Sequence, residues 1–186
     1  MTQNNTIDTV EVKKEYYASG DLWLETPYVN GKNHGVKKEY YDSGVLWEET
    51  PYVYGRRHGI RKDYYESGTL RCETPYVNDK EHGIEKYYYE SGALRCETPY
   101  VNGEKRGIEK FYREYGALDR EVPYVNGKIH GIAKRYYRSG ALRWEMPFVN
   151  GKKHGIERGY DGDDLNIYCI NLYDKGREVA SVMSNI

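Results

Sequence analysis

Gly59-Ile60-Arg61-Lys62-Asp63-Tyr64-Tyr65, then Glu66-Ser67-Gly68, then Leu70 to Val77, then Asn78-Asp79 is the stretch whose reading decides the fold. The first segment, with Ile60, Tyr64 and Tyr65, reads as a strand. Glu66-Ser67-Gly68 is a turn, Leu70 to Val77 a second strand, and Asn78-Asp79 a second turn. Most other units carry Asn-Gly at that second turn, a strong hairpin signal because both residues accept positive φ. Helix is disfavoured, since Gly or Pro recurs every few residues.

The same pattern extends in both directions. Gly35, Gly59, Gly83, Gly107, Gly131 and Gly155 are spaced by 24 residues, giving full units 11–34, 35–58, 59–82, 83–106, 107–130 and 131–154 and a partial seventh. Counting that Gly as place one, place six is Tyr in every unit, place twelve Leu, place seventeen Pro and place nineteen Val. Place twenty-four is His in five units and Arg106 in the fourth. Without insertions the register never slips, which is the signature of a repeat array.

A two-residue Ser-Gly loop is expected to set place seven opposite twelve and four opposite fifteen. Place four is Lys and place fifteen Glu in all six units, so each hairpin opposes a Lys to a Glu, as with Lys62 and Glu73. Such a cross-strand pair contributes about 0.2–1 kcal/mol. Pro at place seventeen lacks an N–H, so the second strand is expected to bend or pause there. The fold class is all-β: an elongated single-sheet antiparallel meander of tandem 24-residue β-hairpin repeats with a C-terminal cap. Equivalent residues of neighbouring units then lie two strands, roughly 9–10 Å, apart.

The organisation reads as a flexible N-terminus over 1–10, hairpin repeats over 11–162 and a C-terminal cap over 163–186. The cap holds the apolar run Leu165 to Tyr173 and the turn signal Asp174-Lys175-Gly176. The 22 Tyr and 20 Gly against two Phe suit thin, half-buried strands rather than a thick aliphatic core. Three cysteines, an odd number, and an opening Met1–Asn5 without charge or apolar run point to reduced thiols and a cytoplasmic home.

In these residues the sequence resembles the MORN repeat family in its bacterial variant form. The shared pattern is Tyr-Tyr-x-Ser-Gly-x-Leu followed by Tyr-Val-Asn-Gly-Lys-x-His-Gly, as in Tyr136 to Leu142 and Phe148 to Gly155. It covers about 11–160. The resemblance implies a binding or scaffolding module for proteins or phospholipid surfaces, and the bacterial group includes proteins labelled as antitoxins that neutralise a partner protein. It brings no catalytic residues.

The chemistry of the chain points the same way. With 28 basic and 29 acidic residues, bulk charge gives no footprint for nucleic acid. The five His stand one per unit, too far apart to share a metal, and the expected role is closing the inter-unit turn. No phosphate loop, nucleophile elbow or CxxC pair occurs, so no catalytic residue, cofactor or metal is expected. Cys72, Cys96 and Cys169 read as small packing residues.

Places three, five and fourteen vary while the frame stays fixed, and they fall on one face. There Tyr87, Cys96, Phe111, Arg120, Arg135 and Trp144 replace the charged residues of the N-terminal units. The fifth unit departs most, with Arg113 for Tyr, Tyr115 for Ser and Asp119 for Arg or Trp, and Arg106 precedes it. Aromatic and Arg residues anchor interfaces. The expected partner-binding surface is therefore units four to six, the partner a protein that the chain inhibits or scaffolds. A membrane-surface adaptor and a homo-oligomer are the alternatives.

Overall fold

The computed structural model describes residues 9–162 and 166–183. Most of the expected 1–10 terminus, together with 163–165 and 184–186 of the C-terminal segment, lies outside the described residues. The chain divides into two units, 1–82 and 83–186. Each is an antiparallel meander, with nine strands from Val10 to Glu81 in the first and twelve from Gly83 to Met183 in the second. No described residue is helical.

Each full repeat supplies three strands, here Gly59–Tyr64, Leu70–Val77 and the two-residue Lys80–Glu81. Asn78 and Asp79 both have positive φ, 51° and 69°, so the second turn is a tight two-residue hairpin. Lys62 faces Glu73, and every other hairpin opposes its Lys and Glu in the same way.

The first turn differs from expectation. Tyr65 N donates to Thr69 O at 2.8 Å and Gly68 N to Tyr65 O at 2.9 Å, which encloses a three-residue loop with Gly68 at φ 82°. Place six, not seven, therefore pairs with Leu at twelve, and a bulge at places thirteen and fourteen restores Asp63 opposite Cys72. A three-residue loop closing on a left-handed Gly brings such a bulge with it.

The strands also run on through proline. Leu70–Val77 is continuous across Pro75, whose carbonyl accepts the His82 N–H at 2.9 Å. All five His and Arg106 make this bond to the Pro of their own unit, which closes the inter-unit turn. The Pro ring has a second use. Gly59 has φ 117°, and a Cβ there would meet Pro51 Cγ at 2.9 Å. The repeat Gly thus lets each hairpin close over the proline of the hairpin before it.

Alternation sorts the side chains into two faces. One carries places three, five, fourteen and sixteen, and it holds most of the buried residues: Thr26, Thr50, Asp63, Cys72 and Thr74 in the first unit, Cys96, Thr98, Glu109 and Cys169 in the second. The other carries the Lys–Glu ladder beside aliphatic side chains that stay half exposed, Ile60 at 51% and Ile132 at 51%.

Two rows of tyrosine bind each repeat to its neighbour. The place-seven phenol donates to the place-six carbonyl of the next repeat, Tyr17 to Tyr40 O at 2.7 Å, Tyr41 to Tyr64 O at 2.8 Å and Tyr89 to Tyr112 O at 2.9 Å. The place-six phenol donates back to the preceding repeat's Glu, Tyr64 to Glu49 and Tyr112 to Glu97 at 3.0 Å, and Tyr136 to Glu121 at 2.8 Å. Burial and then the carboxylate acceptor push Tyr64, Tyr112 and Tyr136 up to about 12 from an ordinary value of 10.0.

Two outcomes are expected. Gly59→Ala forces an L side chain into positive φ against Pro51 and lowers stability by about 1–3 kcal/mol, read by denaturant unfolding. Because the folded phenols titrate above the unfolded ones, their stabilisation is complete below pH 10 and is lost as pH rises from 10 toward 12. The melting temperature falls across that window as the tyrosinate absorbance rises.

Candidate functional site

Six of the ten expected interface residues form one row across neighbouring strands of the second unit. Tyr87 pairs with Cys96, Cys96 with Phe111, Phe111 with Arg120, Arg120 with Arg135 and Arg135 with Trp144. The row continues through Gly159 to Cys169. Gly159 is needed there because a Cβ would meet the Trp144 ring at 2.9 Å. In the first unit the same row reads Glu15, Leu24, Glu39, Glu48, Asp63 and Cys72.

Around this row the second unit forms a hollow of about 340 Å³ lined by Glu85, Tyr87, Arg95, Cys96, Thr98, Tyr100, Lys105, Glu109 and Phe111. Its floor is polar and satisfied. Glu109 is 5% exposed, accepts from Thr98 Oγ1 at 3.0 Å and pairs with Lys105 Nζ at 2.6 Å. Burial alone lowers the Lys105 ammonium, but Glu109 outweighs it and holds Lys105 above its ordinary value. Cys96 is buried beside Thr98 and its thiol is pushed up by burial, so it shapes the floor and is a poor nucleophile. Tyr87 stands at the rim, 39% exposed.

The two long edges of the sheet also differ in charge. In each unit the turns that follow the second strand present exposed cations, Lys32, Arg56 and Lys80 in the first and Lys128, Lys152 and Lys175 in the second, with Asp79, Glu104 and Asp174 interrupting the series. The opposite turns present Asp42 and Glu66 in the first, then Glu90 and Glu114 before Arg138 in the second. Residues 24 apart in the sequence gather on one edge, so a chain of formal net charge −1 carries a cationic margin that no linear run reveals.

The departures of the fifth unit fall in separate places. Arg113 replaces a place-seven Tyr and reproduces its bond, donating from Nη2 to Tyr136 O at 3.0 Å. Its Nη2 also pairs with Asp119 Oδ1 at 2.6 Å. Elsewhere place seven carries Tyr and place thirteen Trp or Arg: Tyr41 lies 6.2 Å from Trp47, and Arg143 sits 5.3 Å from the Tyr137 centroid. Arg113 and Asp119 are thus one exchanged pair. Tyr115 is exposed at the turn with Arg138 over its ring at 5.1 Å. Arg106 is exposed at the inter-unit turn, away from the row.

Sequence reasoning did not find Arg95 and Arg143, which the bulge turns onto the same face as the row. Arg95 lines the hollow beside Cys96. The available signal was place thirteen itself, where Trp23 and Trp47 give way to Arg71, Arg95 and Arg143.

Reversing the exchange tests the pair. Asp119→Arg alone sets two guanidiniums together, whereas Arg113→Tyr with Asp119→Arg restores the usual combination. The double-mutant cycle is expected to show coupling of about 1 kcal/mol in unfolding, and additive effects would refute the pairing.

Comparison with curated proteins returns no match. The repeats described as MORN repeat variant match residues 12–30, 33–54, 57–78, 81–102 and 129–150. The fifth unit, which carries the Arg113–Asp119 exchange, is passed over. Five matched repeats cover more than half of the 186 residues, and the chain belongs to the MORN repeat variant family.

Proposed function

We propose that the chain is a non-enzymatic module that binds another protein through the inner face of its second unit and neutralises or inhibits it, in the manner of an antitoxin. MORN repeats typically serve in binding, of membranes or of proteins, and the family is generally non-enzymatic. The observation that supports a protein partner is the row from Tyr87 to Trp144. It breaks from the repeating frame on one face, combines three aromatic rings with two guanidiniums, and borders a hollow walled by Tyr87, Tyr100 and Phe111. Those are the residue types that anchor interfaces. Buried Cys96, the paired Glu109–Lys105 and the closed Lys–Glu ladder favour structure over turnover.

The tagged protein is expected to retain one stoichiometric protein from its native lysate, and Tyr87→Ala or Phe111→Ala to release it while the melting temperature stays near that of the parent. Retention undiminished in both variants would remove the second-unit face as the site.

The cationic margin favours a second reading, an adaptor on anionic membrane surfaces. Lys128 and Lys152 stand directly opposite Val125 and Val149, which adjoin the half-exposed Ile132 and Ile156 rows. Basic residues beside apolar side chains suit an interfacial site. Sedimentation with phosphatidylserine vesicles, lost on Lys128→Glu/Lys152→Glu and unaffected by Tyr87→Ala, would establish it. No sedimentation at low salt would dismiss it.

A further inference from the structure

We propose that the arginine cluster of the second unit receives an acidic segment of the partner protein, a short extended run of Asp or Glu carboxylates. This rests on the reading of that face as a protein-binding surface and specifies the chemistry it recognises.

Arg95, Asp119 and Arg143 hold place thirteen of successive repeats, next to the row that carries Arg120 and Arg135, and Arg113 pairs with Asp119. Asp119 takes Arg113 at 2.6 Å and Arg135 only at 3.9 Å. Arg95, Asp119 and Arg120 line one shallow hollow of about 240 Å³ with Tyr89, Phe111 and Tyr112. Arg95, Arg120, Arg135 and Arg143 are all exposed. Arg120 and Arg135 are direct cross-strand partners, an arrangement that disfavours folding because like charges oppose each other. An anion placed between them would turn that repulsion into attraction.

The guanidiniums are held rather than loose. Arg120 lies 3.8 Å from the Phe111 ring centroid, Arg143 5.3 Å from that of Tyr137 and Arg95 5.8 Å from that of Tyr89. A stacked guanidinium keeps its N–H edge free for the two oxygens of a carboxylate, and less freedom is lost on pairing. Cross-strand neighbours lie about 5 Å apart and equivalent places roughly 9–10 Å apart. An extended chain advances about 3.3 Å per residue, so carboxylates two or three residues apart span those gaps.

The first unit shows what a neutralised version looks like. There Glu39 is paired by Lys37 at 2.6 Å, and Glu48 and Asp63 share Arg61 at 2.8 and 2.6 Å. Arg71 also reaches Asp63 at 3.7 Å, so three cations meet three carboxylates in that group, whereas in the second unit the one carboxylate at place thirteen, Asp119, takes Arg113 and Arg135. A nucleic-acid strand fits less well. Arg120 covers Phe111, and Trp144 meets Tyr168 edge-on at 5.5 Å, so neither ring is an open stacking platform.

The test uses the full chain and fluorescence anisotropy with three labelled probes: a peptide of alternating Glu and Ser, a Lys and Ser peptide of equal length, and a single-stranded oligonucleotide. The Glu peptide is expected to bind, more weakly as salt rises, and Arg120→Gln/Arg135→Gln to weaken it about tenfold at unchanged melting temperature. The proposal is overturned if the Glu peptide does not bind, if the Lys peptide binds as well, if the oligonucleotide binds more tightly, or if the Gln variant equals the parent. Partner capture separates this failure from failure of the underlying reading. Capture lost with Tyr87→Ala but intact in the Gln variant leaves the face as the site and removes its acidic specificity. Capture intact in both removes the face.

Discussion

The phenol that reaches from one repeat to the next is the interaction on which the rest of the structure depends. Each unit is a single layer, with no second sheet or helix among the described residues to cover it. Aliphatic burial therefore cannot hold the hairpins together, and Ile60 and Ile132 remain half exposed. The repeats are joined instead by polar contacts that cross their boundaries, from the place-seven phenol forward to a carbonyl and from the place-six phenol back to a carboxylate. A hydrogen bond to a charged acceptor contributes about 1.5–3 kcal/mol, more than an exposed Lys–Glu pair at up to about 1 kcal/mol. The place-six row, whose acceptor is charged, is Tyr in every unit.

The frame was legible in the sequence because it repeats. Gly, Pro and Asn-Gly at fixed intervals gave the strands and turns, and the invariant Lys and Glu gave the hairpin register before any coordinate. What could not be read is what depends on a third dimension. The choice between a two- and a three-residue loop at Ser67-Gly68 leaves the Lys62–Glu73 pair untouched, since the later bulge absorbs the difference. Charge pairing alone is blind to it. That bulge decides where Arg95 and Arg143 point, so two residues of the candidate site stayed hidden with it. Burial was hidden too: in one layer, Thr50 and Cys72 are covered by long polar neighbours on their own face, and aliphatic side chains on the other face have nothing to cover them.

The fifth repeat separates variation that preserves structure from variation that does not. Arg113 alone looks like a surface change, yet it donates to Tyr136 O as a Tyr would, and Asp119 changes with it from Arg or Trp to an anion. The forward bond survives a complete change of side chain because the acceptor is a backbone carbonyl, which any well-placed donor satisfies. The backward bond has a carboxylate acceptor that also serves the Lys ladder, and there Tyr is kept in every repeat that follows another, at Tyr40, Tyr64, Tyr88, Tyr112 and Tyr136. The strictness of each row follows the chemistry of its acceptor.

The same reasoning isolates the inner row of the second unit. Phe111, Arg120, Arg135 and Trp144 do not repeat a first-unit partner set, and the direct Arg120–Arg135 pairing works against folding instead of for it. Elsewhere on that face a charge is met at once, as Asp63 is by Arg61 and Glu157 by Lys153 at 2.6 Å. Burial pushes the Glu157 carboxyl up, but Asn171 and Lys153 outweigh it and hold it below the ordinary range. The buried carboxylates are each met by a cation or an amide, while Arg120 and Arg135 stand opposed a few strands away, so on this face it is the positive charge that is left over.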